Sequence, residues 1–311
     1  MQLNNSLDLQ KDFCTVVIPT FFPGENIIDS IQSVPKIYKI LIIDNSYDNR
    51  LLNLIKDFSN CFYYNLGDVG LPKTFNFALS IINTKFFFLM QPDVILRKNC
   101  LENLHKASII YKKAAILAPL VYDRGNYSNY DFYDLNYSIN KKKFLKKDNL
   151  FKENLRPTGD ISVRAVSATS MLINTEFIKN INGWDENIYL YLEDIDISLR
   201  LRLNNYEIIK VSESEVDHEG FSSHTKFIKD DINLVRVWHF TWSSIYFRKK
   251  FSNFIEGNFF LFKIFFISFF KLCLNLLIIN KIKIQINKIK ISACLSILFD
   301  KGSYFRIKHK I

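Results

Sequence analysis

Val16-Val17-Ile18-Pro19-Thr20 and, further on, Ile42-Ile43-Asp44-Asn45-Ser46 share one design: an apolar run that stops at a polar, turn-forming cluster. Apolar runs this short, bounded by turn residues, read as buried strands. The pattern predicts strands over Cys14–Pro19 and Ile40–Asp44, then a third over Cys61–Tyr64 that meets Asn65-Leu66-Gly67-Asp68-Val69-Gly70. A helix follows over about Lys73–Ile82, then an apolar strand, Phe86–Met90, that stops at Gln91-Pro92-Asp93. Helix Asn99–Lys113 and strand Ala115–Val121 continue the alternation. Strands alternating with helices indicate an α/β fold with a mixed, mainly parallel sheet flanked by helices. Its ligand is expected at the carboxyl ends of the strands.

Residues 122–160 are rich in Tyr, Asn, Asp and Lys, including Lys141-Lys142-Lys143 and Lys146-Lys147, and read as a long surface excursion. Strand character returns over Ala165–Ile173. A helix then carries Glu193-Asp194-Ile195-Asp196, with Leu192, Ile195, Leu199 and Leu203 as its expected core face. A last strand, Tyr206–Val211, leads to a polar loop holding His218.

The chain has 311 residues, 48% of them hydrophobic and 23% charged, a composition that excludes a disordered tail or a fibre. Its net charge of +10 is unevenly placed. From Arg248 onward there are 13 Lys or Arg against 2 Asp or Glu, which leaves 28 against 29 in residues 1–247. The basic excess sits on an apolar-rich tail with no base-reading module, so nucleic acid is not the expected partner. Within the tail, Phe259–Asn280 is long enough to cross a bilayer but is interrupted by Lys263 and Lys271. On a helical wheel Lys263, Ser268, Lys271 and Asn275 share one arc, which favours a helix lying in the membrane interface over a core helix of a small C-terminal domain. The division expected is a catalytic domain over 1–240 and a helical, basic, membrane-associating region over 241–311. Five cysteines show no zinc or disulfide spacing. The polar stretch Met1–Phe13 lacks a signal-peptide pattern, so a cytoplasmic protein is expected.

Acidic residues recur where ligands are expected: Asp44, Asp93, then Glu193, Asp194 and Asp196, with His218 behind them. Carboxylates gathered in one cleft repel one another, so such a set has a cation or a proton-transfer task. One or two carboxylates, an imidazole and substrate phosphates suit magnesium or manganese.

These residues resemble glycosyltransferase family 2 enzymes of the GT-A fold, over about residues 14–224, and most closely the rhamnosyltransferase-like bacterial branch. Pro19-Thr20 and Asp44-Asn45-Ser46 are similar to the ends of the family's first two strands, and the resemblance implies that Asp44 contacts the nucleotide base. Asn65 and Gly67, with Asn76 following, are similar to its Asn-x-Gly loop and later Asn. Gln91-Pro92-Asp93 resembles the branch's form of the Asp-x-Asp motif, which makes Asp93 the metal and diphosphate ligand. The strongest match is Gly183-Trp184-Asp185-Glu186, then Tyr189-Leu190-Tyr191-Leu192-Glu193-Asp194-Ile195-Asp196, then Arg200. It resembles the acceptor-side segment, with Asp194 as catalytic base and Trp184, Asp185, Glu193 and Asp196 around the acceptor. His218-Glu219-Gly220 resembles the element that completes the metal site. Departures are Asp68 for the second Gly of a Gly-Gly pair, Asn182 before Gly183, and Asn205-Tyr206 for Gly-Tyr.

The resemblance implies an inverting, metal-dependent transferase. It moves a sugar from a nucleotide-diphosphate sugar to a saccharide or lipid-linked saccharide in cell-surface polysaccharide synthesis such as O-antigen. Deoxythymidine-diphosphate rhamnose is the expected donor, with a uridine-diphosphate sugar next, and the inner face of the cytoplasmic membrane is the expected location. A sugar nucleotidyltransferase would carry a Gly-rich loop after the first strand, where Thr20-Phe21-Phe22-Pro23-Gly24 stands instead. A catalytically inactive membrane-associated scaffold is the non-enzymatic alternative.

Overall fold

The computed structural model describes residues 13–46, 50–128, 156–219 and 229–306. Within them lie two compact units: one takes the described residues up to 128, 156–184 and 194–219, the other 185–193 and 229–306. The expected boundary at residue 240 falls inside a helix, Lys229–Phe251.

The first unit is built on strands β1 (Cys14–Thr20), β2 (Lys39–Asp44), β3 (Cys61–Asn65), β4 (Phe86–Met90), β5 (Val94–Leu96), β6 (Ala114–Asp123), β7 (Asn126–Ser128), β8 (Ile161–Ser162), β9 (Ser170–Asn174) and β10 (Glu207–His218). Its helices are α1 (Ile27–Ser33), α2 (Arg50–Ile55), α3 (Leu71–Ile81), α4 (Cys100–Ile110), α5 (Thr175–Asn180) and α6 (Glu193–Leu203). The strands join in the order β3-β2-β1-β4-β9-β6-β10-β5, with β7 on β6 and β8 on β10. Neighbours from β3 to β4 are parallel, while β9 is antiparallel to β4 and β6, and β5 to β10. Because β1 passes to β2 on one side and pairs with β4 on the other, a crevice forms at their carboxyl ends.

Side chains alternate along the strands and supply two cores. Val16, Ile18, Ile40, Ile42, Phe86 and Phe88 pack toward α1, α2 and α4, while Val17, Leu41, Ile43, Phe87 and Leu89 pack toward α3, α5 and α6. Burial of a side chain of this size stabilises by about 1.5–3 kcal/mol, so both faces hold the sheet. Asn174 caps α5 by accepting the Glu176 and Phe177 amide hydrogens.

Three expectations are corrected. The strand expected over Ala165–Ile173 begins only at Ser170, because residues 167–169 turn to make side-chain hydrogen bonds of their own. On α6, Ile195 is buried as expected, but Ile197 and Leu201 join it, fully buried, while Leu192 and Leu199 are only partly covered and Leu203 is 47% exposed. Packing on the sheet buries residues of both apolar registers near the start of the helix, together with Asp194 and Asp196. Finally, His218 ends β10 and does not sit in a loop after it: a register shift between Val211 and Glu215 lets the strand bulge and continue. Lys141–Lys143, Lys146, Lys147 and Gly220 lie outside the described residues.

The second unit is a three-helix assembly of α7 (Lys229–Phe251), α8 (Phe254–Leu277) and α9 (Lys281–Leu298). The helical wheel of α8 is also corrected. Ser268 and Asn275 are buried with Gly257 and Leu261, while Lys263, Lys271 and most of the phenylalanines face out. Small residues inward permit close approach, since a Cβ on Gly257 would lie 3.0 Å from the Lys249 Cα. Phe259, Phe266, Phe270 and Leu277 are among the side chains left exposed.

Candidate active site

At the end of β1 and β2 the backbone amide of Asn45 donates to the Thr20 carbonyl, and the two turns are welded through Asp44. Its Oδ1 accepts from the Thr20 hydroxyl (2.9 Å), the Ser46 amide (2.9 Å) and the Ser46 hydroxyl (2.6 Å), and its Oδ2 from the Tyr63 hydroxyl (2.9 Å). Asp44 has no exposed surface, so its carboxylate shapes the crevice from within. The Ser46 hydroxyl also accepts the Phe22 amide, and Thr74 donates to the Asn45 side chain. Asn65 accepts the Gly67 amide and donates to Tyr63, closing the loop in front of α3. Gly67 has φ +64°, a conformation in which a Cβ is strained.

Asn76 lies on α3, behind the Asn65–Gly67 loop in sequence. Its amide brackets Trp184, accepting the backbone N–H at 2.8 Å and donating to the carbonyl at 3.0 Å. Trp184 is buried edge-on against Phe75, with ring centroids 5.2 Å apart. Its indole therefore anchors the Asn182-Gly183 turn, whose residues have φ +61° and +65°.

Strand pairing brings Asp93 and His218 together. β5 runs antiparallel to β10 with His218 opposite Val94, and the Glu219 amide donates to the Asp93 carbonyl. The His218 Nε2 lies 3.6 Å from Asp93 Oδ1, on a carboxylate that is 1% exposed. A cavity of about 450 Å³ adjoins His218 and is lined also by Ile95, Arg124, Asp217 and Glu219. No group of three or more His, Cys, Asp or Glu suited to a metal gathers among the described residues. A buried carboxylate beside one imidazole is a donor pair that fits magnesium or manganese, and Asp93 and His218 would hold such an ion.

A network that the sequence did not reveal holds this edge. Arg97 donates to both Asp217 oxygens (2.8 and 2.6 Å) and to Glu215 (3.0 Å), and stacks 3.8 Å from the Tyr122 ring centre. Bonding to Asp217 pushes the Arg97 guanidinium above its ordinary range despite partial burial. Burial raises the Glu215 carboxyl, but Tyr122, Arg156 and Arg97 together hold it below the usual range.

Asp194 opens α6, where the positive helix end favours a carboxylate. Its oxygens accept the Ile195 amide at 2.8 Å and the Ala168 amide at 3.3 Å, and it is 8% exposed. The adjacent Thr169 carbonyl accepts the Gln91 amide at 2.9 Å. One short segment, 168–169, therefore bonds both to the turn carrying Asp93 and to Asp194. Asp196 is wholly buried and bonds Arg200, whose guanidinium also donates to the Ile181 carbonyl. It fixes the helix and offers nothing to solvent.

Asp185 and Glu193 belong to the helical unit. Asp185 accepts from Lys250 (2.6 Å) and Tyr246 (2.9 Å). Burial raises its carboxyl, but Lys250, the Asn187 amide and Tyr246 outweigh that and keep it below the usual range. Tyr189 stacks on His239 and Ser243 donates to the Leu190 carbonyl, so residues 185–193 are held by α7. Nothing in the spacing of 185–193 announces that attachment, and Lys250 would pass as a solvated surface charge.

A sheet with a crevice at the β1/β4 switch point, a carboxylate and imidazole at its rim and a helix-mounted carboxylate beside them defines a nucleotide-diphosphate-sugar transferase of the GT-A fold. Residues 15–174 match the description "Glycosyl transferase family 2", which is more than half of the chain, and the chain belongs to that family. It is similar to the rhamnosyltransferase WbbL of Escherichia coli (strain K12), 20% identical over 240 residues that cover 73% of this chain and 88% of that protein. Among solved structures it is similar in fold to GalNAc-T7 with UDP, GalNAc and Mn2+, with a TM-score of 0.55 and 14% identity over 80% of this chain. It spans about half of that structure, 54%.

Proposed function

We propose that this chain transfers a sugar, with inversion, from deoxythymidine-diphosphate rhamnose to a saccharide or lipid-linked saccharide during cell-surface polysaccharide assembly. The observation that carries the reading is the 168–169 segment, which bonds to the Gln91 turn through Thr169 and to Asp194 through Ala168. A rigid link between a leaving-group site and a base is what displacement at one carbon requires. Asp194 takes the proton of the acceptor hydroxyl as that oxygen bonds to the anomeric carbon and the bond to the diphosphate breaks. Its two amide donors aim the carboxylate. Asp93 and His218 would hold a divalent ion, which when bound supplies charge neutralisation for the diphosphate. Thr20, Asp44, Asn45 and Ser46 form a rigid floor for the nucleotide. Similarity to WbbL supports rhamnose.

The exposed apolar side of α8, with a mean hydropathy of 2.0, together with the basic tail, supports attachment to the inner face of the cytoplasmic membrane. In this reading 1–240 catalyse and 241–311 bind the membrane. The test is nucleoside diphosphate release from a panel of nucleotide sugars, with and without manganese or magnesium, beside Asp194→Asn. Release from the rhamnose donor that needs metal and falls about 100-fold or more in Asp194→Asn is expected. A folded Asp194→Asn with most of its turnover would refute the base assignment, and release from a different donor would refute the sugar.

A further inference from the structure

The helical unit contains a second cavity, of about 560 Å³, that the transfer chemistry does not use. It lies among α7, α8, α9 and Tyr191, and its wall joins Phe240, Ile264 and Ile267 to two cations, Arg236 and Lys290. Neither cation has an ion-pair or hydrogen-bond partner among the described residues. That is unusual for two like charges sharing one partly enclosed space, because repulsion and lost hydration both oppose it. An anion would relieve both.

The rest of the wall says what the anion is attached to. Ile267 (45% exposed) and Phe240 (55% exposed) line the cavity and also belong to the exposed apolar surface. On α8 that surface continues through Phe259, Phe266 and Phe270, where a membrane would lie. The cavity is thus cationic in part and continuous with an apolar surface, the form expected for an amphiphile with an anionic head. Two cations without a partner among the described residues match a head carrying about two charges, a phosphomonoester or diphosphate, better than the single charge of a phosphodiester. Tyr191 adds a phenol that burial pushes up, so it remains a neutral donor at pH 7, with Arg236 opposing and Glu193 reinforcing the shift. Tyr191 and Leu192 have φ +69° and +66°, a backbone strain that persists only where surroundings impose it.

We infer that this cavity binds the phosphate end of a membrane lipid, with Arg236 and Lys290 on the phosphate and Ile264, Ile267 and Phe240 along the first part of the chain. The inference rests on the lipid-linked acceptor proposed above and assigns its lipid phosphate a place in the helical unit.

The test is calorimetric titration of the full chain with farnesyl diphosphate, beside inorganic diphosphate and farnesol as head and tail alone. Farnesyl diphosphate is expected to bind at least ten times more tightly than either half. Arg236→Gln and Lys290→Gln should each weaken it about 10-fold, the loss of one charge-assisted contact. Ile267→Trp, which narrows the cavity and keeps both cations, should weaken farnesyl diphosphate but not inorganic diphosphate. Acceptor-independent donor hydrolysis serves as the folding control and should be unchanged in all three variants. Equal binding by wild type and the charge variants overturns the site, and so does inorganic diphosphate binding as tightly as the lipid. Titration without turnover on any donor would sink the transferase reading and leave the lipid site standing. Turnover on a lipid-linked acceptor with no titration would do the reverse.

Discussion

Gly183→Ala tests the turn that delivers Trp184. Two costs are readable from the structure. Residue 183 sits at φ +65°, where a side chain costs about 1–2 kcal/mol, and the new Cβ would fall 2.4 Å from the Asn76 Oδ1. That oxygen cannot stay, yet it accepts the Trp184 amide, and the same side chain donates to the Trp184 carbonyl. Displacing it leaves two backbone groups of a buried residue unsatisfied, about 2–3 kcal/mol more. Gly183→Ala should therefore cost about 3–5 kcal/mol, and Asn76→Ala about 2–3 kcal/mol. In the double variant the Asn76 contribution has already gone, so adding Gly183→Ala should cost only the backbone part. The expected coupling is about 2 kcal/mol. The assay is urea unfolding followed by tryptophan fluorescence, with the four midpoints compared at equal slope. If the two costs simply add, the Asn76 clamp does not depend on the missing Cβ and the reasoning fails.

Arg97→Leu removes the guanidinium that ties β5 to Asp217 and Glu215; a third exposed, it should cost only about 1–2 kcal/mol of stability. Because the β5–β10 edge sets His218 against Asp93, manganese should also bind several-fold more weakly, and an unchanged manganese titration would show that the edge does not position His218. His239, on α7, is neutral in the fold, since burial lowers its imidazole to about 3, partly opposed by the Phe305 carbonyl and aided by Arg306. Unfolded, it titrates near 6.5, so its contribution is complete above about pH 6.5 and is lost as pH falls toward 3. Between pH 7 and pH 5 the wild type should lose about 2 kcal/mol relative to His239→Gln; parallel urea curves across that range would contradict a buried neutral imidazole.

The α/β character was legible in local pattern alone. Cys14–Thr20, Lys39–Asp44 and Phe86–Met90 are apolar runs too short for helices, and their ends announce themselves as Thr20, Asp44 and Gln91-Pro92-Asp93. The order of the acidic motifs along the chain is a one-dimensional signal, and it was their resemblance to a known family that placed the chain in it. The basic, apolar tail was equally visible.

Which partners the acidic and polar residues meet was decided largely in three dimensions. Asp44 and Asp196 bond near neighbours, Ser46 two residues on and Arg200 four residues on along α6, whereas Asn76 meets Trp184 across 108 residues, a contact with no local signature. His218 reached Asp93 through an antiparallel register and a bulge, neither of which has a local signature. On α8 the wheel grouped Ser268 with Lys263, but neighbouring helices took the small residue and left the lysine outside. Arg97 with Asp217 and Lys250 with Asp185 are contacts across 120 and 65 residues. Local propensity acts over a few residues, whereas the pairing of charges depends on which strands and helices become neighbours, and that is a property of the packed chain.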